Sequence, residues 1–184
     1  MLRSVYLLGL RELRRSVGWW TLGLAGLVAL MVAVFPTIRD NPALNDLVER
    51  YPEALRAFIA FGGAVDYTTG AGYLGSELFS FMVPLLLIVA AIGNGARTIA
   101  GEEERGTLEL LLAQPVTRRR IALEKLGTMA TEIALLAAVV LVALEIGAAT
   151  VGMDIGAWHL AAASADAGAL ALAHGAVAFM VGAG

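Results

Sequence analysis

The fold class this sequence predicts is all-α: a polytopic transmembrane helix bundle with at least four spans. Three observations predict it. Apolar side chains make up 59% of the 184 residues against 16% charged, and mean hydropathy is +0.77, far from the balance of a water-facing globule. Four stretches are long and apolar enough to cross a bilayer. Arginine and lysine concentrate in alternate connections between those stretches, the pattern that keeps basic loops in the cytosol. The same composition removes several functions. A net charge of −3, from 13 basic and 16 acidic side chains, leaves no strongly positive face for nucleic acid. With no cysteine there is no disulfide framework, thiolate metal site or cysteine nucleophile. The single lysine, Lys125, follows Glu124 rather than glycine, so the chain has no phosphate-binding loop and no Walker-type ATPase of its own.

The elements follow in order. Residues 2–17 predict an amphipathic helix at the cytosolic membrane surface. Leu2, Val5, Tyr6, Leu10, Leu13 and Val17 share one side and Arg3, Arg11, Arg14 and Arg15 another, with Leu7 and Leu8 breaking the pattern. The first span covers about residues 17–38. Positions 16–38 carry no formal charge, enough to cross about 30 Å of hydrocarbon at roughly 1.5 Å per residue. Val34-Phe35-Pro36 does not supply the small-residue cleavage site of a signal peptide.

An external segment, 39–77, comes next. Asn41 as cap and Pro42 at the first helical position start an apolar stripe of Leu44, Leu47, Val48 and Tyr51, which Pro52 restarts through Leu55, Phe58 and Ile59. One or two amphipathic helices are expected there, either sealing the bundle or forming a lid. The second span, about 75–96, contains Pro84, tolerable among neighbouring helices, and is expected to end at the helix-breaking Gly93-Asn94-Gly95. A cytosolic loop, 97–125, leads to a third span at about 126–151 and a fourth at about 157–181.

Four basic residues precede the first span and six lie in the 97–125 loop, against three (Arg39, Arg50, Arg56) in the external segment. The amino terminus and the 97–125 loop are therefore expected in the cytosol, and residues 39–77 and the turn near Asp154 outside. Trp19 and Trp20 are expected as an inner aromatic belt, Tyr73 and Trp158 as an outer one. Residues 175–184 carry no Arg or Lys to hold that end in the cytosol, from which a portion of a longer protein with further spans is expected.

Most of the functional information lies in the 97–125 loop. Thr107 can cap a short helix on which Leu108, Leu111 and Leu112 share a face, until Pro115 forces Gln114 out of the helical region. Glu102, Glu103 and Glu104 stand ahead of that helix start, where the macrodipole favours negative charge. Arg118, Arg119 and Arg120 stand near the membrane phosphates. Charged collars on both sides have a plain explanation in topology and solvation. An apolar face on so short a cytosolic helix does not, and it must pack against membrane, its own chain or a partner.

The string Glu103-Glu104-Arg105-Gly106-Thr107-Leu108-Glu109-Leu110-Leu111-Leu112, followed by Pro115 and Arg118, resembles the first cytosolic loop of permease subunits of type-2 ATP-binding-cassette exporters. The match covers roughly 20 residues, and the order of spans supports it more loosely across the chain. The resemblance implies a single permease domain over residues 1–184 that binds no cofactor, with ATP and Mg held by a separate cytosolic ABC ATPase subunit. It also implies pairing with a second permease copy or paralogue, and a cytoplasmic-membrane location in contact with lipid. Glu102, Glu103, Glu104, Gly106, Thr107, Leu108, Glu109, Leu111, Leu112, Pro115 and Arg118 would then form the ATPase-coupling element, with Gly101 and Gly106 absorbing backbone change. Such families have about six spans; four are visible here.

Inside the spans, Glu132 lies about two turns beyond Lys125 and is expected to reach toward the basic inner surface, while Glu145 points to a nearly opposite face. His159, Asp166 and His174 fall within an arc of about 80° but spread over about 22 Å, too far to ligate one ion. They predict a wet or inter-helix face. Nothing resembles an acid-base or nucleophile constellation, so no enzymatic activity is expected. The alternatives are a membrane scaffold whose loop recruits a partner, and a proton-coupled carrier using Glu132, Glu145 and Asp166.

Overall fold

The structure, a computed structural model, describes residues 5–41, 43, 50–55, 66–104 and 118–182. Four long helices dominate them: α1 (Val5–Arg39), α2, α3 (Arg118–Val151) and α4 (Ala157–Gly182). α2 is one unbroken rod in three parts, a helical turn Gly70–Tyr73, a π-helical stretch Leu74–Met82 and an α-helix Val83–Glu104. Each long helix contains a candidate membrane span, Arg14–Arg39, Gly70–Gly95, Arg119–Val151 and Ala157–Val181. The protein is therefore a membrane protein.

Several boundaries differ from expectation. Residues 5–39 form a single helix, so no separate interfacial helix precedes the first span. Gly93-Asn94-Gly95 does not stop α2, which runs on to Glu104. At Gly95 the helix continues against α4, which occupies the space a side chain would fill. Helix thus takes up much of the expected 97–125 loop from both sides, Gly101 is helical rather than a free joint, and the short helix expected over 107–114 lies outside the described residues. Glu102–Glu104 form the last turn of α2, at the end where the macrodipole disfavours negative charge. α2 already begins at Gly70, within the stretch 39–77 expected between the first two spans. Within it Asn41 accepts a hydrogen bond from the Ala43 amide at 3.2 Å, and Pro52 and Leu55 close a turn. The stripe through Leu44, Leu47, Val48, Phe58 and Ile59 lies outside the described residues.

The π-helical stretch explains how Pro84 is accommodated. The Val83 N–H reaches back five residues to Leu78, and Pro84, with no N–H to give, sits where the ladder changes register and is interrupted anyway. Ser80 donates to the Gly75 carbonyl at 2.6 Å across the same widened turn.

The core is a set of stripes at helical spacing. Leu24, Val28, Val32 and Phe35 of α1 face Ile133, Leu136, Val140, Leu144 and Ala148 of α3, and Leu78, Val83, Leu87 and Ala91 of α2 face Leu160, Ala167 and Ala171 of α4. The α2–α4 and α1–α3 pairs pack most extensively. In lipid, where apolar surface is not driven together by water, such pairing depends on close approach. Glycines supply it. A Cβ on Gly147 would stand 2.6 Å from Val32 Cγ2, and one on Gly95 would stand 2.7 Å from the Gly175 carbonyl oxygen.

The bundle has two distinct ends. At the turn end, Gly152 adopts φ +67° and the Met153 N–H bonds back to Ala148 at 2.9 Å, a glycine-terminated stop that sends the chain into α4 within five residues. Arg39 joins this end by donating to the Val151 carbonyl at 3.3 Å, which caps α3, and by pairing with Asp40 at 3.2 Å. At the other end, the loop end, Glu104 and Arg118 flank residues 105–117. Tyr73 belongs to neither surface. Expected as a headgroup anchor, it is 2% exposed; its ring packs on Phe35 at 5.5 Å and its hydroxyl donates to the Met31 carbonyl at 3.1 Å. That partner is what allows a phenol inside the bundle.

Candidate functional site

Polar side chains are few inside this bundle, and each must find a partner or face something wet. Glu132 is 3% exposed on α3, one helical turn beyond the buried Thr128. Its carboxyl accepts a hydrogen bond from the side-chain amide of Asn94 on α2. Asn94 can reach it because α2 stays helical through the glycines on either side of it. Gly95 lies against the backbone of α4, and Gly175 leaves room for Met129 and Ala91, whose nearest atoms would be 2.8 and 2.9 Å from a Cβ there. Spans two, three and four therefore meet around one part-buried polar pair, toward the loop end. The sequence pointed to Glu132 but read Asn94 only as part of a helix breaker. An amide side chain inside a charge-free 19-residue run was the signal that could have found it.

Ser164 on α4 is also buried, and its hydroxyl has no hydrogen-bond partner among the described residues. Thr128 resolves the same problem by donating to the Glu124 carbonyl one turn back at 2.9 Å.

The remaining intramembrane residues are placed differently. Glu145 is half-buried on α3 near the turn end and lines a groove between α3 and α4. His159, Asp166 and His174 are exposed along α4, with the His174 ring nitrogen 2.9 Å from the Leu170 carbonyl. The structure does not bring Glu132, Glu145, His159, Asp166 and His174 together, and no group of three metal-ligating side chains occurs among the described residues. At the turn end, Asp66 accepts from the Thr68 amide and hydroxyl at 2.9 and 2.6 Å, and Thr69 caps the start of α2. Tyr67 beside them has its phenol raised above the usual range, first by burial and then by the Glu77 carboxylate.

Of the coupling residues expected from sequence, Glu102, Glu103 and Glu104 lie in the last turn of α2 and Arg118 opens α3. Gly106, Thr107, Leu108, Glu109, Leu111, Leu112 and Pro115 fall outside the described residues.

Comparison with known proteins gives one family match, to a model described as ABC-2 family transporter protein, over residues 5–184. No curated protein and no solved structure matches the chain. The match takes in all four apolar spans and the string between α2 and α3, and the membrane permeases of this family carry no ATPase domain. This chain belongs to the ABC-2 family as a transporter membrane component.

Proposed function

We propose that the chain is the membrane-spanning permease of an ATP-driven exporter, coupled through residues 97–125 to a separate cytosolic ATPase and paired with a second permease copy or paralogue. ATP and Mg belong to the ATPase. The amino terminus and the coupling loop face the cytosol, as the ten basic residues on that side against three on the other favour.

One observation carries this reading. α2 and α3 run without a break out of the packed bundle to Glu104 and Arg118, so residues 105–117 link two rods embedded in the core. A partner pressing on that link would move both spans. The link holds Gly106, Thr107, Leu108, Glu109, Leu111, Leu112 and Pro115, the string that resembles a coupling helix, and Leu108, Leu111 and Leu112 supply the apolar face for docking. A permease without a nucleotide site needs such contact to receive energy. Glu102–Glu104 at the negative end of α2 add a collar that a basic surface on the ATPase would satisfy.

Affinity purification from membranes tests the proposal. The native chain is expected to bring an ATPase with it, and Leu108→Asp with Leu111→Asp, or Gly106→Pro, to release that ATPase and stop export. Unchanged co-purification and export in these variants would overturn it.

A further inference from the structure

We infer that the groove between α3 and α4 at the turn end binds lipophilic cations, and that these are a substrate class of the exporter; the second half of this inference rests on the transport reading above. The groove has a volume of about 490 Å³, within the range of small-molecule sites, and is open to the surface. Leu141, Val142, Ile146 and Ala161 give it apolar walls, and its polar lining is slight. Glu145 is the acidic residue in it, and no basic side chain lines it. Glu145 lies six residues, or about 9 Å, inside the end of α3. It has no hydrogen-bond or ion-pair partner among the described residues, so a carboxylate stands on an apolar wall without a counter-ion. Arg39, the cation nearest in the fold to this end of α3, is already held by Asp40 and the Val151 carbonyl.

Trp158 completes the chemistry. It opens α4, lines the groove and leaves 79% of its surface exposed, so its indole face is free to take a cation. A ligand with an apolar body fills the walls, and its positive charge answers Glu145 and stacks on Trp158. An anion of the same shape meets the carboxylate and the negative face of the ring, and is rejected. A neutral chain satisfies the walls and leaves Glu145 uncompensated.

The test uses the purified chain in detergent without any ATPase, so a failure of binding is distinct from a failure of the transport reading. Tetraphenylphosphonium and tetraphenylborate have nearly the same shape and opposite charge. With Trp19→Phe and Trp20→Phe, the only tryptophan left is Trp158, and its fluorescence reports the groove. Tetraphenylphosphonium is expected to change that fluorescence saturably. Glu145→Gln, close in volume, is expected to weaken its binding about tenfold or more and to erode the preference for the cation over the borate, and Glu145→Asp to retain part of both. By equilibrium dialysis, Trp158→Leu is expected to weaken the cation several-fold. Unaltered circular dichroism and elution volume establish that each variant is folded. Equal binding of both ions, indifferent to Glu145, would make the groove an acyl-chain site and overturn the inference. Trp158 fluorescence that ignores saturating probe would also overturn it, as expected for a groove covered by a neighbouring helix or a second copy.

Discussion

Asn94, half-buried on α2, and Glu132, buried on α3, are joined by a hydrogen bond between helices, and removing either side chain takes that bond from the other. Asn94→Ala is expected to destabilise the bundle by about 1 kcal/mol, the net contribution of one hydrogen bond between helices. Glu132→Gln keeps an acceptor for the amide and should cost less than Glu132→Ala, as read by denaturation followed with far-UV circular dichroism. Ser164 gives the opposite expectation: its hydroxyl has nothing to lose, so Ser164→Ala should leave stability unchanged or raise it slightly. A clear fall would reveal a partner beyond the described residues. Tyr67 supplies a pH dependence. Its phenol is raised in the folded chain, so the fold holds the proton more tightly than the unfolded chain does. The resulting stabilisation is fully present below the ordinary phenol range near 10 and is lost as pH climbs through the raised value. Melting temperature should fall across that window, and Tyr67→Phe should flatten the fall. At this scale the sequence exposed the acids, because charge in an apolar run is conspicuous. It concealed Asn94 and Tyr73, whose partners lie on other helices and leave no trace in local spacing.

At the level of helices, glycine does two different jobs. Gly152 has a left-handed backbone, so Gly152→Ala is expected to cost about 1 kcal/mol through strain at the stop of α3. Gly95 is helical and is needed for its missing side chain. Gly95→Ala pushes a methyl to 2.7 Å from the α4 backbone and should destabilise by about 1–3 kcal/mol, whereas Gly18→Ala and Gly26→Ala meet nothing within 4 Å and should be neutral or stabilising. Thermal unfolding of the four variants in detergent separates the classes. Local reading of sequence treats both kinds of glycine as breakers, which is why α2 was expected to stop at Gly93-Asn94-Gly95. Whether such a cluster ends a helix or welds it to a neighbour depends on a helix 80 residues further along the chain, at Gly175. The four spans themselves were legible, because uninterrupted apolar length is a property of the local chain.

For the molecule as a whole, four candidate spans and the family could be read from sequence, since hydropathy and a short motif need no tertiary information. The pairing of α1 with α3 and of α2 with α4, and the groove between α3 and α4, could not. They follow from which small residues face which, a matter of three-dimensional register. The long α2 rod has a mechanical consequence. Where Gly95 presses on Gly175, backbone meets backbone with no side chain to yield, so that crossing is a fulcrum. About 14 Å of rod lies on the Glu104 side of it, and about 17 Å reaches back to Pro84, where the ladder is already weak. A downward stroke of 2 Å at Glu104 would swing the Pro84 region about as far the opposite way, a seesaw that reverses direction without gearing.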